Sequence, residues 1–124
     1  MAWNLQNDRP IYLQLMEVIK LRIVTGQYPC GERLPAVREL AFEASVNPNT
    51  MQKALSELER ENYVFSQRTS GRFITEDKEM IARMKETLAQ HEIALFIEKM
   101  AALGYEKQQI IALMDAAEDK EESV

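Results

Sequence analysis

The sequence predicts a mainly α fold with one small β-hairpin, and three observations carry that expectation. Apolar residues recur at helical spacing in several separate segments; two β-prone runs, Tyr63–Arg68 and Arg72–Thr75, flank the short Thr69-Ser70-Gly71 stretch; and 124 residues at 46% hydrophobic content can bury one core with a small appended element, not two full domains.

The first helix starts at Pro10, whose missing N–H costs nothing at a helix start, and carries Tyr12, Leu15, Ile19 and Ile23 to a stop at Gly26. Gln27 to Leu34 holds Pro and Gly and reads as a turn with at most a short strand. Pro35 opens a second helix, ending near Ala44, with Val37, Leu40, Ala41 and Ala44 on one face; Phe42 falls off that stripe and is expected to cover the extension or a second subunit. Asn47 caps a third helix with Pro48 at its first position, and Met51, Ala54, Leu55 and Leu58 form the stripe that faces a core. From about Glu76 to Leu103 the chain becomes acidic and helical, with Ile81, Met84, Leu88, Leu95 and Ala102 on one side and Ile93, Phe96, Ile97 and Met100 widening the apolar face. Such a helix runs roughly 40 Å. Gly104 stops it, and Ile110, Ile111, Leu113 and Met114 mark a short final helix before an acidic tail, 118–122, that is expected to fray.

The second and third helices, joined by about three residues, and the hairpin that follows have the order of a winged helix-turn-helix, here extended by two helices. The expected division is 1–75 for the winged part and 76–124 for the extension. Net charge is -5, but residues 1–75 hold nine Lys/Arg against eight Asp/Glu, whereas 76–124 hold six against twelve. Between Ser45 and Ser56 the only charge is Lys53; between Asn62 and Thr75 the only charges are Arg68 and Arg72. Two segments are thereby cleared of acid, and for a polyanionic partner that matters more than the mean charge.

No apolar run approaches the roughly 18 residues that span a bilayer, and the first residues lack the blocks of a signal peptide, so a cytoplasmic protein is expected. Cys30 is the only cysteine and is read as a packing residue, which leaves neither an intramolecular disulfide nor a thiolate metal site. His91, without a second His or a Cys nearby, reads as a packing or interface residue, and the methionines at 80, 84, 100 and 114 as apolar filler. Neither metal nor cofactor is expected. Nothing has the arrangement of a nucleophile with its base, of paired carboxylates, or of a phosphate-binding glycine loop, which argues against an enzyme.

Several blocks, Pro10-Ile11-Tyr12-Leu13-Gln14, Gly31-Glu32-Arg33-Leu34-Pro35-Ala36-Val37-Arg38-Glu39-Leu40-Ala41, Val46-Asn47-Pro48-Asn49-Thr50 and Ala54-Leu55-Ser56-Glu57-Leu58-Glu59, resemble in order and spacing the DNA-binding domain of GntR-family transcription regulators. The resemblance covers roughly residues 9 to 75. A long helix, Ala102-Leu103-Gly104-Tyr105-Glu106 and a short Ile/Leu-rich helix are similar to the YtrA-type subfamily, whose effector domain is reduced to two helices. The resemblance implies a homodimer, a pseudo-palindromic double-stranded operator, and repression of a small operon such as one encoding an ABC transporter. It places Arg38, Asn47, Asn49, Thr50 and Gly71 on family contact positions. Pro48 and Gln52 stand where some members carry arginine, so an arginine-based guanine code does not transfer.

For Arg38 the functional reading is a guanidinium gripping a phosphate or a guanine edge, and the alternative is an intramolecular pair with Glu39 or Glu43. Asn49, Thr50, Gln52, Lys53 and Ser56 are either a reading face or an ordinary solvated one; Gln52 and Lys53 are the candidates for base discrimination. Arg68, Ser70, Gly71 and Arg72 at the hairpin tip either meet the DNA backbone or solubilise the tip. The apolar faces of the extension cannot be buried on each other alone, so Ile81, Met84, Leu88, His91, Leu95, Phe96, Met100, Ile110 and Met114 are expected at a dimer interface. A small-molecule effector stays open, because two helices of one subunit cannot enclose a ligand pocket. The competing function class is a winged-helix protein-interaction module, in which the third helix and the long acidic helix dock onto a protein partner.

Overall fold

The computed structural model describes residues 3–122, with side chains described to residue 117. The elements are α1 (Ile11–Val24), α2 (Val37–Ala44), α3 (Pro48–Arg60), β1 (Val64–Gln67), β2 (Gly71–Ile74), α4 (Lys78–Ala102) and α5 (Lys107–Glu122). Among the described residues, five helices and one antiparallel hairpin make the mainly α architecture expected of a winged helix fold. The chain divides into two compact units, one through Lys85 and one from Glu86 onward. Met84 is buried, and the first turns of α4 pack with the first unit.

In the first unit α3 is the central element, packed by α1, α2 and β1. Met51, Ala54, Leu55 and Leu58 are fully buried on its inner face, against Leu15 and Ile19 of α1, Leu40 of α2, and Val64 and Ile74 of the hairpin in the same core. Each large apolar side chain buried in this way contributes about 1.5–3 kcal/mol relative to exposure. Gln14 is the polar member of this layer. Its Nε2 donates to the carbonyls of Gln6 at 2.8 Å and Arg9 at 3.0 Å, and its Oε1 accepts from the Gln6 N–H at 2.7 Å, so the N-terminal segment is tied to α1 with no lost hydrogen bond. The Pro- and Gly-containing loop supplies the short strand its sequence allows. Ile74 N–H donates to Glu32 O, Leu34 N–H donates to Arg72 O, and Arg33 bridges Phe73.

Three helices end by the same device. A residue with positive φ follows the helix, and the next N–H reaches back five residues: Val46 to Ala41 past Ser45 (φ 59°), Tyr63 to Leu58 past Asn62 (φ 70°), and Tyr105 to Met100 past Gly104 (φ 97°). Only the last uses glycine, and there the sequence placed the stop correctly. Helix α4 starts where Asp77 Oδ1 accepts the Met80 N–H at 3.1 Å.

The second unit departs from expectation in two places. Helix α5 continues through Glu122, so the acidic stretch 118–122 is helical and not frayed; once a helix is nucleated each added residue costs little, and Ala116, Ala117, Glu118 and Lys120 are strong formers. Ile110, expected at a subunit interface, is buried within the single chain, as is Met84 of the first unit. Ile81, Leu88 and Met100 are half-buried, whereas His91, Leu95, Phe96 and Met114 are exposed. Ile93, Ile97, Leu103, Ile111 and Leu113 are exposed as well.

Candidate nucleic-acid interface

The turn between α2 and α3 fixes how the recognition elements are presented. Ser45 in the left-handed region reverses the chain, and Asn47, in extended conformation, starts α3 by accepting the Asn49 N–H on its Oδ1 at 2.7 Å, with Pro48 in the first turn. The outer face of α3 then offers Asn49, Gln52, Lys53 and Ser56 to solvent, with Thr50 half-buried at its edge. Gln52 Nε2 donates to Ser56 Oγ at 3.3 Å, a long bond that a base edge can displace. Lys53 lies over the Tyr12 ring, 4.0 Å from its centroid, so α1 helps aim it.

Arg38 is exposed on α2. Neither Glu39 nor Glu43 holds it: among the described residues Arg38 has no ion pair, and Glu43 is engaged elsewhere. Glu43 Oε2 lies 2.6 Å from Arg22 Nη1 and accepts from Trp3 Nε1 at 2.6 Å, while Arg22 also donates to the Tyr28 hydroxyl at 2.7 Å. Burial alone would push the Glu43 carboxyl up, but the hydrogen bonds from Arg22 and Trp3 outweigh it and hold the carboxyl below its ordinary value. This cluster joins residues 22 and 43 to an indole near the N-terminus. It fixes α2 on α1, and no local pattern in the sequence announces it.

The wing is the β1–β2 hairpin, in register Val64↔Ile74, Phe65↔Phe73, Ser66↔Arg72 and Gln67↔Gly71. Val64 and Ile74 face the core, and Phe65 and Phe73 stack on the other side with ring centroids 5.9 Å apart. The tip is Arg68-Thr69-Ser70, closed by the Ser70 N–H to the Gln67 carbonyl, and Gly71 follows with φ 101°. Arg68 and Ser70 are exposed at the tip as expected. Arg72 is not with them. It sits one residue into β2, where its Nε donates to Glu59 Oε1 at 3.1 Å, and the same oxygen accepts from Ser66 Oγ at 2.8 Å. Glu59 therefore binds both strands of the wing to the recognition helix, a role that only the register reveals.

Taken together, Arg38, the Asn47–Lys53 start of α3 and the Arg68–Gly71 wing tip belong to one compact unit. Among the described residues no group of three or more His, Cys, Asp or Glu is placed to hold a metal ion, and no helix is long and apolar enough to cross a membrane.

Comparison with known proteins agrees with this geometry. The chain is 38% identical over 106 residues to the Bacillus subtilis HTH-type transcriptional regulator YhcF, covering 86% of this chain and 88% of that protein. It is 35% identical to the HTH-type transcriptional repressor YtrA of the same organism, over 79% of this chain and 71% of that one. A solved GntR-family transcriptional regulator from Listeria monocytogenes superposes with a TM-score of 0.82 at 38% identity, over 90% of this chain and 98% of its own. These relatives are regulators and not enzymes. Residues 11–74, the span from α1 to the end of the wing, match the family of bacterial regulatory proteins named gntR, and with that the chain belongs to the GntR family of DNA-binding transcription regulators.

Proposed function

We propose that the protein is a homodimeric repressor acting in the cytoplasm on a pseudo-palindromic operator upstream of a small operon, such as one encoding an ABC transporter. The observation that carries this reading is the exposed face of α3, which holds Asn49, Gln52, Lys53 and Ser56 with no carboxylate, next to an Arg38 that has no ion pair among the described residues. Two such helices related by a two-fold axis enter successive major grooves. Asn47 and Pro48 set the start of the helix, Asn49 and Thr50 meet the backbone, Gln52 and Lys53 discriminate bases, and Arg68, Ser70 and Gly71 touch the flanking backbone. Arg72 belongs to this group through the wing it fixes.

The homodimer is supported by the apolar side chains that a single copy leaves exposed. Leu95, Phe96 and Met114, with Ile93, Ile97 and Leu113, retain between about two-fifths and three-fifths of their surface. A second copy covering them is the closed solution for an isologous interface. Ile81, Leu88, His91 and Met100 lie at its margin. In this reading residues 1–75 bind DNA and 76–124 dimerise.

The test is fluorescence anisotropy with the duplex upstream of the protein's own gene against a random duplex at moderate salt. The wild type should prefer its own duplex, and Gln52→Ala with Lys53→Ala should remove most of that preference. Equal affinity for both duplexes in the wild type would overturn the proposal. A double variant that keeps DNA affinity but loses a protein partner would favour an interaction module.

A further inference from the structure

We infer that Arg33 is an additional phosphate-binding residue, forming with Arg68 a clamp for one phosphodiester of the operator backbone in the cleft between the wing and the start of α2. This rests on the DNA-binding reading above and assigns a residue to it that lies outside the helix-turn-helix and the hairpin tip.

The placement follows from strand register. Leu34 is buried in the core, so its neighbour Arg33 is turned to the opposite face, where it is exposed. Arg33 bridges Phe73, which makes Gly71 its diagonal neighbour two residues along β2. Because Gly71 has no side chain, the guanidinium lies on its backbone. A Cβ at Gly71 would stand 3.2 Å from Arg33 Nε and 3.4 Å from Nη2, so a side chain there would crowd the guanidinium and push it outward. Gly71 is therefore a seat for Arg33 as well as the residue that turns the wing tip.

The chemistry of the cleft points to an anion. It has a volume of about 360 Å³ and is lined by Arg33, Arg68 and Arg72 together with Pro35, Val37 and Gln67 among others, and no carboxylate lines it. Arg72 is already neutralised by Glu59, whereas Arg33 and Arg68 have no ion-pair partner among the described residues. Two guanidiniums without an ion-pair partner bordering one acid-free cleft attract an oxyanion, and a phosphodiester offers the paired oxygens to which a planar fork can donate. Gln67 and Arg68 continue directly into the wing tip, and Val37 is followed by Arg38, so a backbone that touches those groups passes this cleft.

The experiment measures the salt dependence of affinity of the full chain for its upstream duplex and for a random duplex. The dimer carries two copies of Arg33, so Arg33→Gln should reduce the slope of log Kd against log salt by about 1.8 on both, a change of about 12-fold in the loss of affinity between about 50 and 200 mM salt. Arg33→Lys should recover part of the slope, and Lys107→Gln, the same charge change on α5, should leave it at the wild-type value. Arg33 is exposed, and an unchanged circular dichroism melt of the variant verifies that it folds. A slope for Arg33→Gln equal to that of wild type or of Lys107→Gln overturns the inference. Inorganic phosphate that binds the wild type through Arg33 without displacing duplex at constant ionic strength also overturns it, since the cleft would then hold a free anion and not the backbone. Loss of the wild type's preference for its own duplex instead overturns the proposed function, and the slope on the random duplex still decides the role of Arg33.

Discussion

Glu59→Ala should loosen the wing from the recognition helix while leaving both elements formed. Glu59 Oε1 receives Arg72 Nε at 3.1 Å and Ser66 Oγ at 2.8 Å, and the Arg72 side chain is only 17% exposed against 36% for Glu59. In a water-like dielectric two unit charges about 4 Å apart are worth about 1 kcal/mol, and the hydroxyl bond adds about 1 kcal/mol. Alanine is the better helix former by a few tenths of a kcal/mol, which leaves a net destabilisation of about 1.5 kcal/mol. For a unit of this size that lowers Tm by about 6–12 °C. Urea unfolding followed by far-UV circular dichroism measures the loss, and a double-mutant cycle with Arg72→Ala should return a coupling of about 1 kcal/mol. The same change frees Arg72 toward the cleft and should steepen the salt dependence of DNA binding. A loss under about 0.3 kcal/mol, or additivity with Arg72→Ala, would refute the assignment of Glu59 as the wing's anchor.

Three further outcomes are expected. Asn47→Ala removes the acceptor of the Asn49 N–H and should cost about 1 kcal/mol in urea unfolding, with DNA affinity falling because the start of α3 frays. Glu43→Gln should flatten the acid side of the stability profile: a carboxyl held below its ordinary value stabilises the fold above the unfolded-state value and loses that contribution as pH falls through the folded one, so the wild type declines with acid more steeply than the variant when melts are compared along a pH series. Ser45→Gly relieves a side chain held at φ 59°, and after the added chain entropy of glycine the gain in thermal stability should be about 0.5 kcal/mol; a loss would show that the serine hydroxyl matters more than its backbone.

What could be read in the sequence was local. The Asn47-Pro48 start, the stripe from Met51 to Leu58, the hairpin around Gly71 and the stop at Gly104 each depend on residues within a turn or two of one another, and each stands where the pattern placed it. All but one of the departures involve partners far apart in the chain. Arg72 looked like a tip residue because its distance from Glu59, 13 positions earlier, is bridged only once the hairpin folds back on α3. Met84 and Ile110 looked like interface residues because an apolar stripe does not say which copy of the chain covers it. The tail at 118–122 looked unstable because its charge was weighed without the helix that precedes it. Arg33 was invisible for a similar reason, since its place over Gly71 comes from a strand pairing 40 residues long in sequence, Arg33 to Phe73.

The indole of Trp3 belongs to the only tryptophan in the chain. It is buried, its Nε1–H is held by Glu43 on α2, and the Arg22 guanidinium of α1 lies 4.6 Å from its ring centroid. All of the protein's tryptophan fluorescence thus originates at the junction of α1 and α2, next to one carboxylate and one guanidinium whose separation from the ring depends on how those helices pack. Without any label, the emission maximum is an optical gauge of the scaffold behind Arg38, able to register whether that helix shifts when a duplex or a small molecule is added.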